Sequence, residues 1–177
     1  MIGLVALITG LGVTSLTGTF RTSAESFART LSLQISQARD RAYLADKLVR
    51  LRVDLSKQTF MIEEASSRHL VPRTPDKELT DREKEELAKA DANTFTAIPE
   101  LMGSPKEMPN GLKMTEVTSA RLKKPAKEGI ADIYFFNNGH NDGATIWFET
   151  DEQVTYAIRM HPVTGLTKFE AKKKEER

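Results

Sequence analysis

Two short patterns in this chain have the spacing of residues that perform chemistry. Residues 5–10, followed by Gly12, are typical of a glycine-rich turn that binds dinucleotide phosphates, and Tyr43 and Lys47 have the Tyr-x-x-x-Lys spacing of a catalytic pair. The glycine pattern is incomplete, because Ser15 stands where a third glycine would open the helix. Tyr43 also follows too soon for several intervening βα units. The sequence therefore predicts no dinucleotide site.

No other combination of residues predicts catalysis. The histidines, His69, His140 and His161, lack the spacing of metal ligands. The polar residues of segment 137–142 carry oxygens that suit calcium, although such clusters are usually plain turns. The sequence has no serine-nucleophile elbow, zinc-protease motif or phosphate-binding loop. We therefore expect no enzyme activity, no cofactor and no metal site.

The overall composition argues against a global attraction to nucleic acid. Charged residues make up 29% of the 177 residues, but they nearly cancel to a formal net charge of +1. Cysteine is absent, which excludes disulfides and thiolate metal sites. One basic cluster stays a candidate for contact with nucleic acid, although acidic neighbours favour an ordinary solvated surface: Arg121, Lys123, Lys124 and Lys127.

The N-terminal residues form an apolar stem. Residues 1–20 contain no ionisable side chain, and small residues recur at every fourth position: Ala6, Gly10, Thr14 and Gly18. On a helix these four share one face, where a neighbouring helix can approach closely. Threonines and a serine dilute the second half of the stem, so it is marginal as a membrane span. We expect the native N-terminus to lie upstream of Met1.

Residues 20–46 continue the stem as an amphipathic helix. Apolar residues recur at spacings of three and four, and no proline interrupts residues 1–46. The predicted stripe consists of Phe20, Ala24, Phe27, Leu31, Ile35, Ala38, Ala42 and Ala45. We expect its larger members, Phe20, Phe27, Leu31 and Ile35, to pack the helix on a sheet.

The rest of the chain is predicted to be a β domain over residues 47–170, followed by a charged tail at 171–177. Alternating apolar residues predict strands over 49–55, 59–63, 112–117, 131–136, 144–149, 154–160 and 166–170. Tight turns between them indicate an antiparallel sheet or a small sandwich. Residues 66–111 are polar and contain five prolines, so we predict a surface insertion that faces a partner. Within it, Thr80 and Glu83 fit a capping box for a helix over 81–92.

Taken in order, these segments resemble the GspH/FimT-like minor pseudopilins of type II secretion and type IV pilus systems. The resemblance covers nearly the whole chain except the insertion. It rests on residues 38–42 (ARDRA), 49–54 (VRLRVD), 134–139 (YFFNNG), 143–146 (GATI), 156–160 (YAIRM) and the dipeptide at 164–165 (TG). The family's leader, its cleavage site and its glutamate do not occur in this sequence, and Met1 to Val5 look like the middle of the family's apolar helix.

The resemblance implies a pilin-like α+β fold, with a long N-terminal helix packed on a C-terminal antiparallel β domain. It also implies a structural subunit of a type II secretion pseudopilus, at its tip or in its initiation, that assists protein export across the outer membrane. Other pseudopilins would be partners through the N-terminal helix, and secretion-channel or cargo proteins would be further ones. The implied location is the bacterial inner membrane, with a single span, a methylated N-terminus and the globular domain in the periplasm.

Two alternatives of another kind stay open. The first is a DNA-binding minor type IV pilin used in DNA uptake, which requires the basic residues near 121–127 and those of the tail to converge on one face. The second is a membrane-tethered periplasmic domain that never polymerises. Changing Gly10 to leucine would leave the function of such a tethered domain intact, whereas it would disturb the assembly of a pseudopilin.

Overall fold

A long helix leads into two antiparallel sheets in the computed structural model. The structure describes residues 2–69, 71, 82, 86, 89 and 94–172, with side chains from Thr22 to Ala171. Helix α1 spans Ile2–Leu44 and is 43 residues long. Asp46, directly after it, has a positive φ of 51°. This left-handed conformation is typical of a residue that ends a helix, and it turns the chain into the first strand.

Nine strands and a short helix follow α1 in the described ranges, apart from the isolated helical positions between residues 82 and 94. The strands are β1 (Lys47–Asp54), β2 (Thr59–Ser66), β3 (Thr96–Ala97), β4 (Lys106–Glu107), β5 (Leu112–Ser119), β6 (Ile130–Phe135), β7 (Ala144–Thr150), β8 (Thr155–Met160) and β9 (Thr167–Lys172). Helix α2 (Pro99–Met102) lies between β3 and β4. The first sheet has the order β3-β2-β1-β6, with β4 also paired to β2, and the second has the order β5-β7-β8-β9.

Local sequence explains the central hairpin of the first sheet. Strands β1 and β2 pair in one continuous antiparallel register, in which Leu51 lies opposite Ile62. Asp54 closes the turn between them, because its Oδ1 accepts hydrogen bonds from the backbone N–H groups of Ser56 and Lys57. Gln58 completes the turn with a φ of 56°. The alternation of residues 49–55 therefore places one face of β1 in the core.

The main core lies where α1 and both sheets meet. It contains residues of the helix, of the first sheet and of the second sheet in one contiguous cluster, for example Leu31, Leu51, Ile133 and Phe148. A smaller cluster covers the opposite face of the first sheet: Leu48, Ala65, Phe95 and Tyr134. The first sheet is thus covered on both faces, by α1 on one and by the segment around Phe95 on the other.

The predicted α+β fold class is confirmed, with a long N-terminal helix on antiparallel strands. Residues 66–111, predicted to be a surface insertion, contain more regular structure than the sequence indicated. Strand β2 extends to Ser66, and β3, α2 and β4 all lie inside the predicted surface insertion. Phe95, Ile98 and Met102 are buried there. The physical reason is that Pro99 begins α2, where a proline is well tolerated, rather than marking a loop.

The helix predicted over residues 81–92 is described at only a few positions. Arg82, Glu86 and Lys89 are helical, and Arg82 pairs with Glu86 one turn later at 3.1 Å. The proposed capping residues, Thr80 and Glu83, lie outside the described residues.

Candidate functional site

The second half of α1 is wedged between the two sheets. Phe27 makes edge-to-face contacts with Phe60 of the first sheet, at 5.8 Å between ring centroids, and with Phe148 of the second, at 5.3 Å. Leu31 and Ile35 follow on the same side of the helix, and each is only 1% exposed. The spacing of three and four between apolar residues therefore determines which face of α1 packs against the two sheets.

Polar contacts fix the C-terminal end of α1 to three parts of the β domain. Arg41 forms two hydrogen bonds with the carboxylate of Glu64 on β2, at 2.8 and 3.2 Å. These hydrogen bonds hold the pKa of Glu64 below its usual range. Asn137 donates to Asp46 Oδ1 at 2.7 Å, just beyond the helix. The helix end is thus attached to the first sheet and to the turn after β6.

The third attachment joins α1 to the turn between β8 and β9. Arg39 donates a hydrogen bond from Nη1 to the backbone carbonyl of Thr164. Its side chain also passes directly over Gly165, where an added Cβ would lie 2.6 Å from Arg39 Cδ. Gly165 has a φ of 66°, which side chains rarely adopt. A glycine at this position therefore serves both the turn and the close approach of the helix.

We expect Gly165→Ala to lower the free energy of unfolding by about 1–3 kcal/mol, since it adds backbone strain and a clash with Arg39. Urea denaturation of the full-length chain measures the change. Gly139→Ala is the matched control, because Gly139 has a φ of 82° but nothing within 4 Å of the added Cβ. Equal losses in the two variants would show that contact with Arg39 contributes nothing.

A groove of about 380 Å³ opens beside this helix end. Tyr43 on one wall is 63% exposed and Val163 on another is 58% exposed, while the neighbouring Leu44 is 80% exposed. Its lining residues are Arg39, Asp40, Tyr43, Asn138, Gly139, His140 and Val163. About three turns back along α1, Leu33 is also exposed. Large apolar side chains on an otherwise polar helix face are typical of a surface that contacts another protein.

The residues predicted to pack α1 against neighbouring helices lie in its first half. Ala6, Gly10, Thr14 and Gly18 belong to the described backbone of α1, as does Phe20, but their side chains lie outside the described part of the chain. Among the residues that the structure describes, no helix has the combined length and apolarity needed to cross a membrane.

The basic cluster proposed for nucleic acid is partly engaged within the domain. Arg121 forms two hydrogen bonds with Asp142, each of 3.0 Å, and lies over the rings of Tyr134 and Phe136. Lys127 approaches Glu116 at 3.8 Å. Lys123 and Lys124 lie in the same segment, between β5 and β6. Arg121 therefore acts as an internal tie between the segments on either side of β6.

The residues considered for calcium and metal binding have structural partners instead. Asn141 accepts a hydrogen bond from the Gly143 N–H and donates to the His161 carbonyl. The Asp142 carboxylate is used by Arg121 and by the backbone N–H of Tyr134. Within the described residues, no group of three His, Cys, Asp or Glu side chains is placed to hold a metal ion. His69 stands apart from the other histidines, edge-on to Phe95.

The sequence analysis missed a buried charge network on the outer face of the first sheet. The Arg50 side chain is fully buried, pairs with Glu63 at 2.6 Å and reaches Asp132 at 3.4 Å. Its guanidinium lies 3.7 Å from the centroid of the Phe95 ring. Arg52 pairs with the same Asp132 at 3.0 Å. The alternation of β1 indicated that Arg50 and Arg52 share a face, but it did not reveal the cover above them.

Structural comparison identifies the fold. The chain is similar to the minor pseudopilin EpsH from the type 2 secretion system of Vibrio cholerae, with a TM-score of 0.53 and 13% sequence identity over 84% of this chain and 97% of that chain. The protein has a minor-pseudopilin fold. The expected resemblance to minor pseudopilins is thereby confirmed at the level of the fold.

A second structure of the Vibrio cholerae minor pseudopilin EpsH aligns with a TM-score of 0.48 and 12% identity, covering 88% of this chain and 98% of that chain. No protein-family profile matches the chain, and no curated protein sequence does. At this identity the likeness concerns the arrangement of helix and sheets alone.

Proposed function

We propose that this protein is a minor pseudopilin, a structural subunit at the tip or in the initiation complex of a type II secretion pseudopilus. In this role it assists the export of folded proteins across the outer membrane and performs no catalysis. The observation that carries the proposal is the fold shared with EpsH over 84% of this chain and 97% of that chain.

The construction of α1 supports a role in assembly. The buried side of residues 24–42 is fully used by the domain, whereas Leu33 and Leu44 on other sides are 60% and 80% exposed. The rest of the exposed face carries few charges. Its uncharged polar residues include Ser26, Thr30, Ser36 and Gln37. A helix face of this kind can pack against another helix with little cost of removing charges from water.

In the proposed assembly, α1 contacts other pseudopilins, with Ala6, Gly10, Thr14 and Gly18 allowing close helix approach in its first half. The same half is proposed to cross the bacterial inner membrane once before assembly, with the β domain in the periplasm. Secretion-channel or cargo proteins are proposed as further partners of the exposed domain surface.

The DNA-uptake alternative is less well supported by the described surface. Of the four basic residues on which it rests, Arg121 is held by Asp142 and by two aromatic rings. A protein that binds DNA through several phosphate contacts loses affinity steeply with salt. Salt-dependent binding of duplex DNA to the full-length chain would favour this alternative over the pseudopilus.

Site-specific photo-cross-linking tests the pseudopilin proposal. The chain has no cysteine, so Leu33→Cys and Leu44→Cys each introduce a single attachment point for a benzophenone maleimide. In membranes of cells that express the complete secretion system, we expect both probes to cross-link to a second pilin-like subunit, identified by mass spectrometry. Both positions are exposed on α1, so the substitutions leave the core unchanged.

Lys168→Cys is the matched control for this experiment. Lys168 is 75% exposed, and its neighbour Phe169 packs against the core, so the probe points away from the domain. Cross-linking from α1 that depends on the other secretion subunits, with none from residue 168, would support assembly through the helix. Absence of any pilin-like product from both α1 positions would contradict the proposal and favour a tethered domain that does not polymerise.

A further inference from the structure

The chain contains two asparagine–glycine dipeptides, Asn110–Gly111 before β5 and Asn138–Gly139 after β6. Both asparagines are exposed, and both glycines are half-buried. The glycines also share one backbone conformation, with a φ of 80° at Gly111 and 82° at Gly139. Neither the dipeptide nor its exposure therefore distinguishes the two positions, and a difference between them must come from their contacts.

An asparagine followed by glycine can be modified without an enzyme. The glycine backbone nitrogen attacks Cγ of the asparagine side chain, and the side-chain NH2 leaves as ammonia with the proton that the backbone nitrogen loses. Water then adds across one of the two C–N bonds of the cyclic succinimide, which gives aspartate or isoaspartate. Glycine favours the attack because it has no Cβ and its backbone rotates freely. The reaction therefore needs a glycine N–H and an asparagine side chain that are both free to move.

Hydrogen bonds hold both reacting groups of Asn138–Gly139. The Gly139 N–H donates to the Phe136 carbonyl at 3.0 Å. The Asn138 side-chain oxygen accepts a hydrogen bond from the His140 N–H at 3.0 Å. The Phe136 N–H donates to the His140 carbonyl at 2.9 Å and closes the loop around the dipeptide. Attack by the Gly139 nitrogen requires the first two of these hydrogen bonds to open.

The turn at Asn110–Gly111 is built without such contacts to the reacting groups. It is closed from outside the dipeptide, by a hydrogen bond from the Leu112 N–H to the Pro109 carbonyl at 3.1 Å. Within the described residues, neither the Gly111 N–H nor the Asn110 side chain has a hydrogen-bond partner, so both are left to water. The nucleophile and the side chain that it attacks are thus less restrained here than at Asn138.

We propose that Asn110 is a site of spontaneous deamidation in the folded chain, whereas the loop after β6 protects Asn138. Two hydrogen bonds to the reacting groups must open before Asn138 reacts, and their net worth slows that reaction about tenfold relative to Asn110. This modification is independent of the pseudopilin function, because it follows from contacts within one chain.

Deamidation at position 110 alters a segment that is held at both ends. The Met108 N–H donates to the Gln58 carbonyl at 3.0 Å, and the Gly111 carbonyl accepts a hydrogen bond from the Asp151 N–H at 3.1 Å. Isoaspartate adds a methylene group to the backbone between these two contacts, and either product adds a negative charge. The modification therefore disturbs the place where the β1–β2 turn meets the end of the second sheet.

Peptide mapping of the full-length chain tests the proposal. The chain is incubated in mildly alkaline buffer and digested with trypsin at mildly acidic pH, so that digestion itself adds little deamidation. Residues 107–113 form a tryptic peptide whose single asparagine is Asn110, and residues 128–159 form one that contains Asn138. Mass spectrometry detects the exchange of NH2 for OH, and fragmentation assigns it to a residue. We expect modified Asn110 to accumulate about tenfold faster than modified Asn138.

Incubation in guanidinium chloride is the matched control, because it removes the fold and should let the two asparagines react at comparable rates. In Asn110→Gln, the longer side chain closes the equivalent ring far more slowly, so peptide 107–113 should stay unmodified while Asn138 behaves as before. The proposal is overturned if Asn138 reacts as fast as Asn110 in the folded chain, or if Asn110 reacts only in guanidinium chloride. A rate difference of the same size in denaturant would also overturn it, since local sequence rather than the hydrogen bonds would then be the cause.

Discussion

We expect Phe27→Ala to lower the free energy of unfolding by about 3–5 kcal/mol, the range found when a buried phenylalanine is truncated in a core. Phe27 is 6% exposed and is the helix residue whose ring contacts both Phe60 and Phe148. Removing the ring takes away buried apolar area and leaves a cavity at the junction of α1 with both sheets.

The cavity would also reach an aromatic stack in the second sheet. Phe148 stacks with Tyr156 at 5.7 Å and with Phe169 at 6.2 Å between centroids. Since Phe27 meets Phe148 edge-on, the truncated side chain would leave one side of this stack without a neighbour. The near-ultraviolet circular dichroism of the folded variant should therefore weaken along with its stability.

Urea denaturation of the full-length chain measures the loss at Phe27, and Leu33→Ala on the same helix provides the control. Leu33 is 60% exposed, so its truncation should change the free energy of unfolding by less than about 0.5 kcal/mol. If Phe27→Ala cost no more than Leu33→Ala, α1 would not be held to the domain through its buried stripe.

The sequence was most informative where one periodicity governs a whole element. The spacing of three and four between Phe27, Leu31 and Ile35 continues without a proline, so the helix and its buried face were both predictable. The alternation in residues 49–55 likewise predicted β1 and its inner face. In each case the spacing of apolar residues in the sequence defines which face of the element is buried. The fold determines only which other element packs against that face.

The segment after β2 was harder to predict because its structure depends on distant partners. Strand β3 pairs with Glu63 and Glu64 of β2. It has two residues, which are too few to show an alternating pattern in the sequence. Phe95 is buried because it packs with Leu48, Ala65 and Tyr134 and covers the Arg50 guanidinium, all of which are distant in sequence. Five prolines made residues 66–111 look like a surface excursion, although one of them, Pro99, begins a helix whose last residue, Met102, is buried.

The functional surfaces were the least predictable part, for the same reason. The hydrogen bond from Arg39 to the Thr164 carbonyl joins α1 to the β8–β9 turn across 125 positions, and the local sequence at neither end indicates it. Arg121 looked like a solvated cation in a basic segment, yet it is bound by Asp142. The role of a charged residue depends on its neighbours in the folded structure, whereas the periodicity of apolar residues can be read directly from the sequence.

Arg50→Met should show how much the buried charge network of the first sheet contributes. The substitution keeps an unbranched side chain under Phe95 but removes the cation bound to Glu63. Because Glu63 is buried, the variant leaves a carboxylate whose charge, among the described residues, is offset by Arg52 at 3.8 Å. We expect the free energy of unfolding to fall by about 3–5 kcal/mol, the usual cost when one partner of a buried ion pair is removed. Urea denaturation of the full-length chain measures it.

Two further variants separate charge from packing. Arg52→Met removes a cation that is 22% exposed, so solvent screens part of its pairing with Asp132, and we expect a cost of about 1–2 kcal/mol, less than for Arg50→Met. Adding Glu63→Gln to Arg50→Met removes the uncompensated carboxylate, and this double variant should recover part of the lost stability. If instead Glu63→Gln gave no recovery, the loss at Arg50 would come from its packing on Phe95 rather than from the stranded charge. A loss at Arg52 equal to that at Arg50 would show that burial does not distinguish the two arginines.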